Sequence, residues 1–137
     1  MRTIAYVCVH NAGRSQMAEA FTNYLAEQQG MSVRAFSAGT AAGDRINPAA
    51  AEAMAEVGIA MEGMHPKTLT REMADTADII ITMGCGVDAE ACPALRYVSE
   101  DWGLEDPAGQ SIAKVREVRD QICRRVQDLL NRLSSER

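Results

Sequence analysis

Residues 3 to 9 read TIAYVCV, a continuous apolar run with no polar alternation. A strand that is apolar on both faces must be covered on both faces, and this is the condition of a central parallel strand. Such a strand also constrains its neighbours in the chain, because parallel strands need crossover connections, usually helices. The chain supplies them. Residues 14 to 28 place Met17, Ala18, Phe21, Tyr24 and Leu25 at helical spacing, and Gly30 ends that helix. Ser32 to Ser37 reads as a second strand, closed by Ala38-Gly39. Asn47-Pro48 starts a helix, with Asn as N-cap and Pro at the first position, that runs to about Glu56 before Gly58. Residues 59 to 69 read as irregular and Thr70 to Thr76 as a short helix. Asp78 to Met83 is another buried strand, 84 to 93 a loop or loose turn, Arg96 to Val98 a fourth strand and 101 to 110 a loop. A long helix from Ser111 to about Leu133 carries Ile112, Val115, Val118, Ile122, Val126, Leu129 and Leu133 on one stripe. Strands alternating with helices are expected to give an α/β fold, a mostly parallel sheet with helices on both faces.

With 137 residues, no internal repeat and no linker, the chain is read as one domain, 1–137. Its net charge of -5 argues against nucleic acid or an anionic membrane as partner, but leaves room for a locally positive pocket. No stretch has the length of a membrane span or the pattern of a targeting segment, so a cytoplasmic location is expected; a monomer is the default expectation. Thiols are kept reduced there, and structural disulfides are not expected. The four cysteines, Cys8, Cys85, Cys92 and Cys123, form no CxxC pair, and His10 and His65 are the only histidines. A structural zinc site is therefore not expected.

Chemistry concentrates where the first strand meets the first helix, in CVHNAGRS. A parallel strand, a tight loop and a helix N-terminus present consecutive backbone N–H groups, a ready anion site. Cys8 sits at its mouth, where positive charge favours the thiolate nucleophile. Arg14 offers a planar fork that matches a tetrahedral oxyanion, and Ser15 a hydrogen bond to the thiolate. Val9, His10, Asn11, Ala12 and Gly13 complete the substrate-binding loop with Arg14. The plain alternative is a buried core cysteine and a solvated arginine.

Cys85 lies just past the third long strand, at the sheet end where parallel folds gather their ligands. If the strands are neighbours, roughly 5 Å apart, its sulfur could meet that of Cys8 after modest loop motion. Cys92 stands seven positions later. On a continuous helix that is roughly 10 Å along the axis, against the roughly 5.5 Å between Cα atoms of a disulfide. Closing such a bond would need unwinding, which Gly84, Gly86 and Pro93 permit. A loop thiol and a half-buried filler are the respective alternatives. Cys123, beside Ile122 on the last helix, reads as structural.

CVHNAGRS, the SQMAEA after it, FSAG at 36 to 39 and Asp106-Pro107 resemble the low-molecular-weight protein tyrosine phosphatases over nearly the whole chain, which implies an α/β fold of three layers with a four-stranded parallel sheet flanked by helices. The three thiols, in order and spacing, and EDWGLEDPAG resemble the thioredoxin-coupled arsenate reductases built on that fold. Ala108-Gly109 stands after Asp106-Pro107, where phosphatases proper usually carry aromatics. The resemblance implies reduction of arsenate to arsenite: Cys8 attacks arsenic, Asp106 acts as general acid, and Cys85 and then Cys92 carry a disulfide away from Cys8. Thioredoxin restores the thiols, with no metal or organic cofactor. Some members hold potassium through positions matching Asn11, Glu19 and Ser37; here Lys67 stands where their acidic ligand would be. It is either a replacement cation paired with Glu19 or a solvated loop lysine. Three rivals stay open: a phosphatase using Cys8, Arg14 and Asp106 alone, a reductase served by a low-molecular-weight thiol and a glutaredoxin-like partner, and an oxyanion-binding or redox-sensing module.

Overall fold

The computed structural model describes residues 1–83 and 99–135. The elements are β1 (Arg2–Cys8), α1 (Arg14–Gln28), β2 (Val33–Gly39), α2 (Pro48–Glu56), α3 (Arg71–Thr76), β3 (Ile79–Thr82), β4 (Glu100–Asp101) and α4 (Ile112–Ser135). They build one sheet of order β2-β1-β3-β4 in which every pairing is parallel. β1 is central. Ile4, Tyr6 and Cys8 face a core shared with Met17 and Phe21 of α1, Met54 of α2 and Val118, Ile122 and Val126 of α4. Ala5 and Val7, on the opposite face, pack with Leu69, Ile80 and Ala74 of α3. The continuous apolar run is thus explained: successive side chains enter two different cores. Tyr6 is fully buried at the sheet's centre. It shares a 2.7 Å hydrogen bond with Thr22 and packs against Trp102. Burial pushes its phenol well above the usual range.

Several expectations need correction. β2 does not stop at Ser37. It runs on through Ala38 and Gly39, which pair with Val7 and Cys8, because the edge strand is held to the full length of β1. Tyr24 is exposed, and Thr22 and Ala26 take the buried positions of α1 instead. β4 is Glu100–Asp101, so Asp101 belongs to the sheet rather than to a loop. This two-residue acidic strand is created by its partner: Ser99 N–H donates to Ile80 O and Trp102 N–H to Thr82 O. The expected strand at 96–98 lies outside the described residues, as do Cys85 and Cys92. On α4, Leu130 and Arg119 join the buried stripe. Arg119 donates to Ala53 O and Glu56 Oε1, tying α4 to the end of α2. Cys123 is half-buried against the core, and burial pushes its thiol up.

Candidate active site

β1 ends on Cys8, and the chain turns through residues 9–13 before α1 begins. The loop's carbonyls are taken from outside. Thr40 N–H donates to Cys8 O, Ala41 N–H to Val9 O, Gly43 N–H to His10 O and Asn47 N–H to Ala12 O. With its acceptors occupied by residues 40–47, the loop is free to present N–H groups elsewhere; that of Asn11 donates to Cys8 Sγ at 3.1 Å. Asn11 achieves this in a left-handed conformation, φ 54°, unusual for a residue other than glycine.

The helix start is equally specific. Asn47 caps α2, Thr70 caps α3 and Ser111 accepts from Lys114 N–H at the start of α4. α1 begins after Gly13, with no side-chain cap. Its first-turn N–H groups lack the acceptor that the other helices receive, so an anion can fill that role.

The thiol's hydrogen bonds have a direction that can be derived. Lys67 N–H, an unambiguous donor, points at Asn11 Oδ1, 2.9 Å away. Asn11 Nδ2 is therefore the donor in its 2.7 Å bond to Ser15 Oγ. Among the described residues, Cys8 Sγ at 2.9 Å is the partner left for Ser15's own hydrogen. Cys8 Sγ thus receives two donors, from Asn11 N–H and Ser15 O–H.

Arg14 is 6% exposed. Its Nη1 donates to Met83 O at 3.1 Å and Leu104 O at 2.8 Å. These bonds fix the guanidinium plane and leave Nε and Nη2 as the donors for an oxyanion. Nη2 lies 3.6 Å from Asp106 Oδ2. Asp106 is half-exposed, and its Oδ1 accepts from Ala108 N–H at 3.0 Å, an Asx turn before Pro107. The turn and the approach to Arg14 are compatible, because each uses a different carboxylate oxygen.

The fold therefore brings Cys8, Asn11, Arg14, Ser15 and Asp106 together. The backbone of Val9, His10, Ala12 and Gly13 forms the loop between them, with the His10 residue exposed. Sequence reasoning did not find Gln16, whose amide reaches Asn11 and His65, or the backbone of residues 40–47. Neither carries a compositional signal; a glutamine on a helix reads as solvated until the fold buries it. Beside the loop, Lys67 Nζ lies 3.6 Å from Glu19 Oε1, which also accepts from Ser37 Oγ at 2.7 Å. Of the two readings of Lys67, the 3.6 Å pairing with Glu19 supports the replacement cation, on a side chain that is partly exposed. Among the described residues no three His, Cys, Asp or Glu side chains converge as metal ligands.

Residues 3–137 match the family described as low molecular weight phosphotyrosine protein phosphatase. The glutaredoxin arsenate reductase of Synechocystis is 36% identical over 135 residues, covering 98% of this chain and all of that one. Among solved structures, an arsenate reductase in the phosphate-binding state superposes with a TM-score of 0.83 at 36% identity, covering 96% of this chain and 98% of the other. The thioredoxin-dependent arsenate reductase of Corynebacterium glutamicum has a TM-score of 0.81 at 34% identity, covering all of this chain and 64% of that one.

Proposed function

The chain belongs to the low molecular weight phosphotyrosine protein phosphatase family, and on that premise we propose that it is an arsenate reductase, a thioredoxin-coupled oxidoreductase of arsenic detoxification. Arsenate docks on the N–H groups of residues 9–14, with Arg14 Nε and Nη2 on its oxygens. The Cys8 thiolate attacks arsenic. Asp106, beside Arg14, protonates the oxygen that leaves as water, and a Cys8–arsenic bond remains. The Cys85 thiolate then attacks Cys8 Sγ. A Cys8–Cys85 disulfide forms, the sulfur–arsenic electron pair passes to arsenic, and arsenite departs reduced by two electrons. Cys92 attacks Cys85, which frees Cys8 and moves the disulfide to Cys85–Cys92. Thioredoxin's dithiol reduces it by exchange. No step calls for a metal or an organic cofactor.

The observation that carries this reading beyond the family's phosphatase chemistry is the tether to a second thiol. Met83 O is bonded to Arg14 inside the site, and Cys85 comes two residues later in the chain, a reach of at most about 7 Å. A phosphatase has no use for Cys85 or Cys92. The relatives named as arsenate reductases support the reading, and the thioredoxin-dependent one supports the reductant. The Synechocystis relative, named for glutaredoxin, favours the other reductant. The protein is read as cytoplasmic, because the relay needs a compartment that keeps thiols reduced. Among the described residues no helix is long and apolar enough to cross a membrane.

Cys92→Ser tests the scheme. The variant should release about one arsenite per enzyme, then stall as a Cys8–Cys85 disulfide detectable by mass spectrometry. Sustained turnover with thioredoxin as sole reductant would remove Cys92 from the relay. Sustained turnover with a low-molecular-weight thiol and glutaredoxin alone would assign the enzyme to that reductant.

A further inference from the structure

Gln16 is a fully buried polar side chain that the reaction scheme does not use. Its Nε2 faces three carbonyl oxygens: Asn11 O at 3.1 Å, Asn11 Oδ1 at 2.9 Å and His65 O at 2.9 Å. Its Oε1 is buried with no hydrogen-bond partner among the described residues. The orientation is nevertheless fixed. Turning the amide over would set Oε1 against three acceptors, which is worse than leaving one acceptor unmatched. A buried unmatched acceptor is destabilising, so an apolar side chain of the same length would suit this position if packing were its only purpose.

The three acceptors show what the amide does. Asn11 is fully buried and left-handed, and Gln16 serves both its backbone carbonyl and its side-chain oxygen. His65 O belongs to the segment that delivers Lys67 N–H to Asn11 Oδ1. With two N–H bonds facing three acceptors, one of them shared, the NH2 group holds Asn11 and ties down the segment that orients the Asn11 amide. Asn11 in turn supplies N–H to Cys8 and directs Ser15's hydroxyl at it. We propose that Gln16 is a positioning residue: it locks Asn11 in its left-handed conformation and so sets the oxyanion loop and the two donors on the Cys8 sulfur. It touches neither substrate nor sulfur and acts entirely through Asn11.

The inference rests on the oxyanion loop of the proposed function, and inorganic phosphate probes that loop whatever reaction it serves. Gln16→Met keeps length and apolar packing but removes both donors. The variant should bind phosphate about tenfold more weakly, measured as the phosphate-induced rise in unfolding temperature of the folded protein. That factor corresponds to about 1.4 kcal/mol. In single turnover the second-order rate with arsenate should fall at least tenfold. A side chain that only packed would lower the unfolding temperature without phosphate and leave phosphate affinity unchanged, and that result overturns the proposal. A second measurement needs no variant. In 15N-labelled wild-type protein, the Gln16 side-chain NH2 signals should exchange slowly and shift when phosphate binds. Fast-exchanging signals that ignore phosphate overturn the proposal even if Gln16→Met does not fold. Failure of the reductase reading looks different: wild type would bind phosphate and not turn over arsenate.

Discussion

Replacing Gly39 by alanine tests whether the oxyanion loop is shaped by the strand beside it. Gly39 has no positive φ, so its requirement is one of space. A Cβ there would lie 2.4 Å from Val9 O and 3.1 Å from both N and Cβ of Asn11. Ordinary contact begins near 3.4 Å, so Val9 must retreat by about 1 Å, as overpacking in a close-packed interior requires. It has nowhere easy to go. Val9 O already accepts from Ala41 N–H at 2.9 Å, and Gly39 is held by Lys67 O on one side and Leu69 N–H on the other. Forced repacking of this kind costs about 1–3 kcal/mol, a fall of roughly 3–10 °C in unfolding temperature for a domain of this size. The larger effect is on chemistry, because a displacement of about 1 Å in a reacting geometry can cost about 100-fold. The assay is single-turnover arsenite release beside a thermal melt. Gly43→Ala is the matched control, since its Cβ would meet only His10 O at an ordinary 3.7 Å, and it should behave like wild type. If Gly39→Ala kept wild-type turnover and stability, the loop would not be set by its contact with β2.

Two further substitutions address the charged groups around the loop. Arg14→Lys should lose at least about 100-fold in arsenite release per enzyme, because one ammonium cannot hold Met83 O and Leu104 O and also grip an oxyanion bidentately; near-normal kinetics would mean the anion binds elsewhere. Lys67→Met removes the cation facing Glu19, so turnover indifferent to potassium in the wild type should become dependent on added potassium chloride over an organic salt of equal ionic strength. Stability should fall by about 1 kcal/mol in urea unfolding, as expected for a partly exposed pair.

Periodicity and local chain chemistry decided most of the elements, although Tyr24, on the helical spacing of α1, is exposed and β2 runs past Ser37. TIAYVCV required a sheet covered on both faces because no other arrangement hides an unbroken apolar strand. The end of α1 comes from Gly30, at φ 65°, and the start of α2 from Asn47 and Pro48, whose effects act within one helical turn. Cys8, Arg14 and Ser15 could be assigned together because strand, loop and helix fix their spacing over eight residues. Tertiary structure alone decided the rest. β4 is two acidic residues paired only because β3 offers an open edge. The orientation of Arg14 is set by Met83 and Leu104, 69 and 90 residues away. The direction of the hydrogen bonds reaching Cys8 is imposed by a backbone N–H at Lys67, 56 residues beyond Asn11. A nucleophile can be written into eight consecutive residues, but the donors that hold it must have their own acceptors satisfied, and those acceptors are met by chain that only the fold brings near.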